Sequence, residues 1–583
     1  MNKNPKRKAT KIWKYDNIDK IPQVTALKEY IFSAPATNGL PECSQEYGYV
    51  VFLSICDKKT RATVVHGKDE TFEAAWKKAE KKAIKAARKN KCETVWAKAD
   101  IATSFEKISI ADLKAEVAAC KDKYFFRKGI AFDEGFETAF LESEINCNKI
   151  LSYKKKELDL DNTNRYLKTH CRENGLTDIP GDVITFTTAG FFCDENELVY
   201  DLYSSGPDCG RRVIDIVDDK ISETIIKNAS EYLLNMIRPD GSFIYGFKPV
   251  SNNEIKDYNI LRHTGSIWSL INYYRMTRDE GIVPKLNSTI NYLLDTAILY
   301  KDTNTAYVVE HKANEVKLGG NGLAVIMLTE YMDVFKTDKY IDIIRFLANG
   351  ILEQQNQDSG KYYHVLNYPD LTGKEEFRTI YYDGEATFAL TRAYTFTHEQ
   401  VYLDGAVRAV ENFITNDYTK YRDHWVAYSL NEITQYVPEQ RYFEFAMRNI
   451  TNNFDKIYYR QTAGPTFLEL LMAGWQTYKR WRITATGRGE HLDESDVERF
   501  AQTIYKRVFH MLNGYFYPEF AMYMKNPDKV LDTFFIREDA GRIRIDDIQH
   551  HIGGYYFYAT YYDEIRQYLS EEFLSGIHGG NGN

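Results

Sequence analysis

Cysteine is missing from the last 374 residues of this chain: all eight (Cys43, Cys56, Cys92, Cys120, Cys147, Cys171, Cys193 and Cys209) fall before residue 210. That excludes a disulfide framework or a thiolate metal site from most of the molecule. No Cys-x-x-Cys pair occurs, and the spacing fits no zinc module. No run of about 18 apolar residues is present, so no membrane span is expected. The opening "MNKNPKRKATKIWKYDN" has no apolar centre and does not read as a secretory signal. A cytoplasmic protein with reduced thiols is the expectation. Neither a P-loop nor a Gly-x-Gly-x-x-Gly fingerprint occurs, so no nucleotide cofactor is expected.

Aromatic residues, by contrast, make up 14% of the chain, with 44 tyrosines. Tyrosine joins an apolar ring to a polar tip, which suits clefts that hold polar ligands such as sugars. Charge is unevenly spread. Residues 1–100 carry 21 Lys/Arg and 12 Asp/Glu, a balance of +9, which leaves −17 for the rest of a chain whose net charge is −8. Two regions of different character are implied.

Residues 1–20 read as a basic, disordered lead. Residues 21–158 read as a small α+β domain. "EYGYVVFLSIC" (46–56), "TRATVVHG" (60–67) and "CETVWAKADI" (92–101) alternate as strands. "DETFEAAWKKAEKKAIKAARKN" (69–90) predicts a helix capped by Asp69, and "DEGFETAFLESEINCNKIL" (133–151) a second one. The lysines of the first helix read as a solvated face. No RNA-module signature accompanies them, so nucleic acid is not an expected partner. Residues 159–216 read as a linker with β-structure, and 571–583 as a flexible Gly-rich tail.

Between 217 and 570 the chain is nearly all helical and repeats. Six helices with a polar stripe, beginning with "SETIIKNASEYLLNMI" (222–237), alternate with six that are apolar almost all round, ending with "GGYYFYATYYDEI" (553–565). A helix that is apolar all round must be enclosed, while one with a polar stripe can face water. Six such hairpins closing on themselves give an (α/α)6 toroid. Small residues near the inner-helix starts (Gly265, Gly320, Gly384, Gly464, Gly553) let those helices crowd at the axis. The fold class expected is mainly α, a C-terminal (α/α)6 toroid after a smaller α+β domain.

Alternating hairpins, with "RPDGSFIYGF" (238–247) and "QQNQDSGKYYHV" (354–365) after outer helices, resemble the six-hairpin toroid superfamily. That superfamily includes glycoside hydrolases, unsaturated-uronide hydrolases, sugar epimerases, lanthionine cyclases and terpene cyclases. Lanthionine cyclases hold zinc with cysteines that this toroid lacks. Terpene cyclases place an Asp-rich motif in an apolar cavity, whereas "RIRIDDIQHH" (542–551) is crowded with arginine and histidine. The resemblance therefore implies carbohydrate chemistry.

In such a toroid the cleft opens where loops lead into the inner helices. Those segments carry His263, His311, His424, His550 and His551, with His364 close by. Sugar cleavage or epimerisation needs a proton donor and an acceptor beside one ring carbon. Asp383 and Glu385, facing Asp546 and Asp547, are the candidate carboxylates, and His263 and His550 the candidate acid–base partners. Arg262, Arg378, Arg544, Tyr381, Tyr382, His424 and Trp425 are candidate substrate-binding residues, with the arginines suited to carboxylate or phosphate. His550 and His551 are adjacent and cannot share one helical face, so no metal is expected. The function expected is hydrolysis, elimination or epimerisation of a sugar or glycan, anionic in keeping with the arginines. The alternative is a non-catalytic glycan- or peptide-binding scaffold whose basic N-terminal domain binds a polyanion.

Overall fold

The computed structural model describes residues 18–33, 44–119, 125–152, 154–171, 174–484 and 492–578. The first 17 residues of the basic lead and the last five of the tail lie outside these. Glu571–His578, expected in the tail, forms a helix. No helix among the described residues is long and apolar enough to cross a membrane.

Among the described residues, twelve helices in two rings form the frame of the larger part. The inner six are Ile260–Thr277, Leu318–Phe335, Tyr381–Thr397, His424–Ile433, Thr466–Thr484 and Ile545–Arg566. Each packs on the next, and the sixth packs back on the first, so the ring closes. The outer six are Asp219–Asn235, Val283–Ala297, Ile341–Glu353, Gln400–Thr415, Gln440–Thr451 and Glu494–Met511. Burial follows the sequence pattern. The second inner helix buries residues on every side, including Leu323, Val325, Ile326 and Leu328. The third outer helix buries only a stripe: Ile344, Leu347, Ala348 and Ile351.

The two Gly-containing loops after outer helices turn out to be the same device. In each, an isolated β-bridge closes the loop, Ile237 with Phe243 and Gln355 with Tyr362. At its turn sits a left-handed glycine, Gly241 (φ +87°) or Gly360 (φ +72°). Each glycine lies against the backbone of another outer helix, at Ser288 and Arg408 respectively, where a Cβ would collide with a carbonyl oxygen.

The N-terminal part is an antiparallel sheet in the order Thr63–Asp69, Tyr49–Cys56, Trp96–Ser109, Asp182–Cys193, Gly129–Ala131, Ala139–Phe140, with Val199–Asp201 added on Asp182–Cys193. Strand Asp182–Cys193 corrects the linker expected at 159–216. It pairs with Trp96–Ser109 from Ala97–Cys193 to Ser109–Asp182 and belongs to the heart of the sheet. Its alternating pattern was legible, but a long-range partner is not visible in a local pattern.

Two helix expectations are also corrected. The lysine-rich helix runs Phe72–Asn90 and is capped by Thr71, whose hydroxyl accepts from the Ala74 N–H, while Asp69 ends a strand. The helix expected over 133–151 is confined to Glu142–Asn148. Phe136 takes a left-handed turn (φ +57°) and Ala139–Phe140 is a strand, because these aromatics pack into the sheet rather than along one helix face.

One sheet face packs helices Pro22–Ser33 and Phe72–Asn90 through Leu27, Val51, Leu53, Trp76 and Ile101. The alternate residues point the other way and meet the toroid. Ser54 Oγ lies 2.9 Å from Tyr523 OH, and Cys56 and Trp96 join the toroid core. A buried Lys98–Asp100 ion pair (2.9 Å) sits at this junction, with Lys98 over the Tyr523 ring. Tyr523 belongs to the long connection between the last outer and last inner helices. The N-terminal part therefore docks beside the loops that lead into the inner helices, at the rim of the toroid's mouth.

Candidate active site

The axis of the ring is floored by aromatic side chains. Trp268 of the first inner helix reaches Trp425 (5.7 Å) and Tyr428 (5.6 Å) of the fourth, on the opposite wall. Phe388 stacks on Tyr428 at 5.7 Å. The toroid is thus a bowl, lined above this floor by the first turns of the inner helices.

The sixth inner helix starts at Ile545, so Asp546, Asp547, His550 and His551 all lie on its first two turns rather than in a loop. Residues 546 and 550 share a face, since they are one turn apart. Asp546 accepts from Arg544, through its Nη2 at 2.7 Å, and pairs with Arg262 Nε at 2.9 Å. Asp547 pairs with Arg542 at 3.0 Å. Burial favours the protonated form of both acids. At Asp546 the two arginines outweigh burial and hold the carboxyl below its ordinary range. At Asp547 burial and the charge of Asp546 prevail and push it up. The adjacent acids are shifted in opposite directions, Asp547 to about 6.

His550 meets Glu469 of the fifth inner helix, Nδ1 to Oε2 at 2.6 Å. Burial works against the imidazolium, but Glu469 outweighs it, and the His550 pKa is raised. Glu469 is fully buried and also accepts from the Tyr428 hydroxyl at 3.3 Å. A side chain at Gly553 would place its Cβ 2.7 Å from Glu469 Oε1, so glycine there makes room for the acid. His424 completes a cluster: Nε2 lies 3.8 Å from Glu469, and its ring centre 5.2 Å from that of His550. Burial lowers the His424 pKa to about 3, and neither ring nitrogen has a hydrogen-bond partner. The three residues bring one ligand atom each within 4.8 Å of one another, a donor set that suits a zinc-like ion.

A second pair of acids sits on the next walls. Glu385 of the third inner helix is buried against Gly319, with Oε2 unpartnered, and burial raises its pKa well above the carboxylate range. Asp423 caps the fourth inner helix through the Trp425 N–H (3.0 Å) and leaves Oδ2 unpartnered; burial lifts it to about 7. Tyr381 approaches the His424 ring at 5.7 Å and is 43% exposed, so it stands at the lip. Tyr382 lies inside, beside Glu385.

Other candidates are placed elsewhere. Asp383 turns away to His364 Nε2 (3.2 Å) and the Tyr418 hydroxyl (3.3 Å), a network that anchors a loop and an outer-helix connection. His263 points outward, between the Tyr258 hydroxyl (2.7 Å) and the Thr289 carbonyl (3.0 Å) on an outer helix. Burial pushes it down to about 4. Arg378 is bound to Glu315 (2.6 and 2.8 Å) and Glu375. His551 donates its Nδ1–H to the Asp547 carbonyl (2.6 Å) and stacks on Phe534 at 4.1 Å, in the wall. The bowl thus gathers Glu385, Asp546, Asp547, His550, Arg262, Arg544, Tyr381, Tyr382, His424 and Trp425, and not Asp383, His263 or Arg378.

Sequence reasoning passed over Glu469, Asp423, Trp268 and Tyr428. Glu469 carried a signal: it is the single charge in "GPTFLELLMAGW", a run that must be enclosed.

No family model and no curated protein matches the chain. Solved structures resemble it. A D-mannose isomerase is 13% identical, with a TM-score of 0.45 over 60% of this chain and 98% of that one. The cellobiose 2-epimerase of Spirochaeta thermophila DSM 6192 is 9% identical, with a TM-score of 0.45 over 60% and 98%. A glycoside hydrolase family 76 mannosidase, Bt3792 of Bacteroides thetaiotaomicron VPI-5482, is 11% identical, with a TM-score of 0.40 over 59% and 99%. At such identities the likeness gives no residue of this chain a role. The chain's own helix packing defines it as a six-hairpin toroid with an ionisable bowl at its mouth.

Proposed function

We propose that the protein is a carbohydrate-active enzyme that moves a proton at a sugar carbon, as in epimerisation, isomerisation or elimination. The observation that carries this reading is the His550–Glu469 pair at 2.6 Å, set above the aromatic floor. Glu469 occupies Nδ1 and leaves Nε2 to take and return a proton. Glu469 holds the His550 pKa above the ordinary imidazole value, which supports a group that carries a proton and can return it. Arg262 and Arg544, fixed by Asp546, present N–H groups to a sugar oxygen on which charge develops. Glu385, whose carboxyl burial holds well above the ordinary range, is placed to donate a hydrogen bond to a hydroxyl. Trp268 and Trp425 offer apolar faces to the ring carbons.

Hydrolysis is supported less well. It calls for one ionised and one protonated carboxyl on either side of a bond, separated by about 5–9.5 Å. The bowl's ionised acid, Asp546, is instead held by two arginines, and its sequence neighbour Asp547 is itself paired with Arg542.

The test is proton NMR of reducing mono- and disaccharides in D2O with the wild-type protein and His550→Asn. Deuterium uptake at the carbon beside the carbonyl, lost in the variant, is the expected result. New reducing ends without deuterium uptake would point to hydrolysis, and binding without turnover to a scaffold. A second reading is favoured by the unpartnered nitrogens of His424: a metal ion held by His424, Glu469 and His550. Elemental analysis of the purified protein, and zinc titration followed by calorimetry, separates the two. Stoichiometric zinc lost in His424→Ala would favour the metal.

A further inference from the structure

A second cavity, of about 960 Å³, opens between the N-terminal part and the toroid. Lys59 and Arg61 from the connection between strands Tyr49–Cys56 and Thr63–Asp69, Lys149 and Arg165 from the following segments and Lys525 from the toroid line it, and no Asp or Glu does. Among the described residues none of these five cations lies in an ion pair. Five asparagines, Asn90, Asn148, Asn162, Asn253 and Asn526, supply further hydrogen-bonding groups. Arg61 donates to Asn148 Oδ1 (2.5 Å) and to the Val250 carbonyl (2.7 Å), while its buried Nε–H has no partner. Unpaired cations converge on such a wall at a cost in repulsion, and an anionic ligand relieves it.

The cavity does not end at its own walls. Thr63, Asn90 and His170 also line an adjoining depression of about 260 Å³, which Lys82, Lys85 and Lys89 of the lysine-rich helix and the acids Glu137 and Glu144 line as well. The uncompensated positive charge is therefore confined to the larger cavity, whose five cations are spread too widely for a single phosphate group and fit an extended anion better. In the other direction the cavity reaches toward the bowl. Val250, Ser251 and Asn253 belong to the tip of the hairpin Gly246–Lys248/Asn253–Glu254. The base of that hairpin pairs with Ile543–Arg544, Gly246 opposite Arg544, and Arg544 holds Asp546 in the bowl. Three or four strand residues, roughly 10–13 Å, separate the two sites.

We infer that this interdomain cavity binds an anionic glycan chain, phosphate- or carboxylate-bearing, and holds it beside the bowl. The anion follows from the cavity itself, and the glycan rests on the carbohydrate reading of the bowl. The two can fail separately, because the cavity is tested by binding and the bowl by turnover.

The experiment uses the full chain and fluorescence anisotropy at 50 and 300 mM NaCl. Four labelled probes are compared: a galacturonate pentamer, a phosphorylated mannose pentamer, a neutral maltopentaose and a ten-nucleotide single-stranded DNA. The expected result is salt-sensitive binding of at least one anionic pentasaccharide and none of maltopentaose. Whichever of the two binds more tightly identifies the anion. The double variant Lys149→Glu/Arg165→Glu, altered only at exposed side chains, weakens that binding at least tenfold. His550→Asn leaves it unchanged, whatever becomes of turnover. The inference is overturned if neither anionic pentasaccharide binds, if the double variant binds as well as wild type, or if DNA binds more tightly than both.

Discussion

The third and sixth inner helices open with the same kind of residue, and the protein uses them in opposite ways. "YYDGE" puts Glu385 in the wall with no cation beside it, and the acid stays protonated. "RIRIDD" puts Asp546 between Arg544 and Arg262, and the acid stays ionised. The helix, the depth of burial and the residue class are alike. What differs is whether a guanidinium arrives from a neighbouring element. In a water-poor bowl the partner, not the residue type, sets the charge state. The same lesson holds for histidines: His550 is raised by its hydrogen bond to Glu469, whereas burial lowers His263, and lowers His424 even with Glu469 3.8 Å away.

The comparison can be broken by substitution. His550→Asn is expected to lower turnover by about 10²–10⁴-fold with folding intact, measured by steady-state kinetics and circular dichroism. An equal loss in His263→Asn would contradict the outward placement of that residue. Asp546→Asn, which leaves two arginines without their carboxylate, is expected to destabilise by about 3 kcal/mol in urea unfolding. Little change there would mean the arginines are solvated rather than paired.

Two smaller effects concern pH and the neutral acids. Asp423 is raised in the fold from 3.8 to about 7, so the folded state binds the extra proton. Its contribution to stability is present below about pH 4 and is lost as pH rises through about 7. Asp546, lowered in the fold, contributes above its unfolded value and loses that contribution as pH falls. Asp423→Asn is expected to flatten the decline between about pH 4 and 7 in thermal scans, and a curve unchanged from wild type would refute the burial effect. Glu385→Gln, replacing an acid already neutral and unpartnered, is expected to shift stability by less than about 1 kcal/mol. A large loss would show that Glu385 is ionised after all.

The hairpin array was readable because it is local. An all-round apolar helix such as "LGGNGLAVIMLTEYMDVF" and a striped one such as "IDIIRFLANGILE" announce their surroundings through periodicity alone. The site was readable only as a set of segments. Asp383 and Glu385 stand two residues apart on one helix, about 200° around it, so one enters the bowl and the other meets His364. No spacing rule told which, because helix phase is fixed by what the neighbouring helices leave room for. Strand Asp182–Cys193 was likewise visible as a strand, but its place inside the sheet depends on a partner some 90 residues earlier.

By itself, then, the sequence determined the twelve-helix alternation, the separation of a basic N-terminal region from an acidic toroid, and the residue types at the mouth of the ring. Periodicity and composition are properties of neighbouring residues, and burial acts on them directly. Only the tertiary structure decided that Glu469 meets His550, that Arg262 and Arg544 share Asp546, and that five cations from four segments face one cavity. Each of those depends on residues far apart in the chain, and in a low-dielectric interior a few ångströms between such groups decide whether a charge is kept, lost or answered by a ligand.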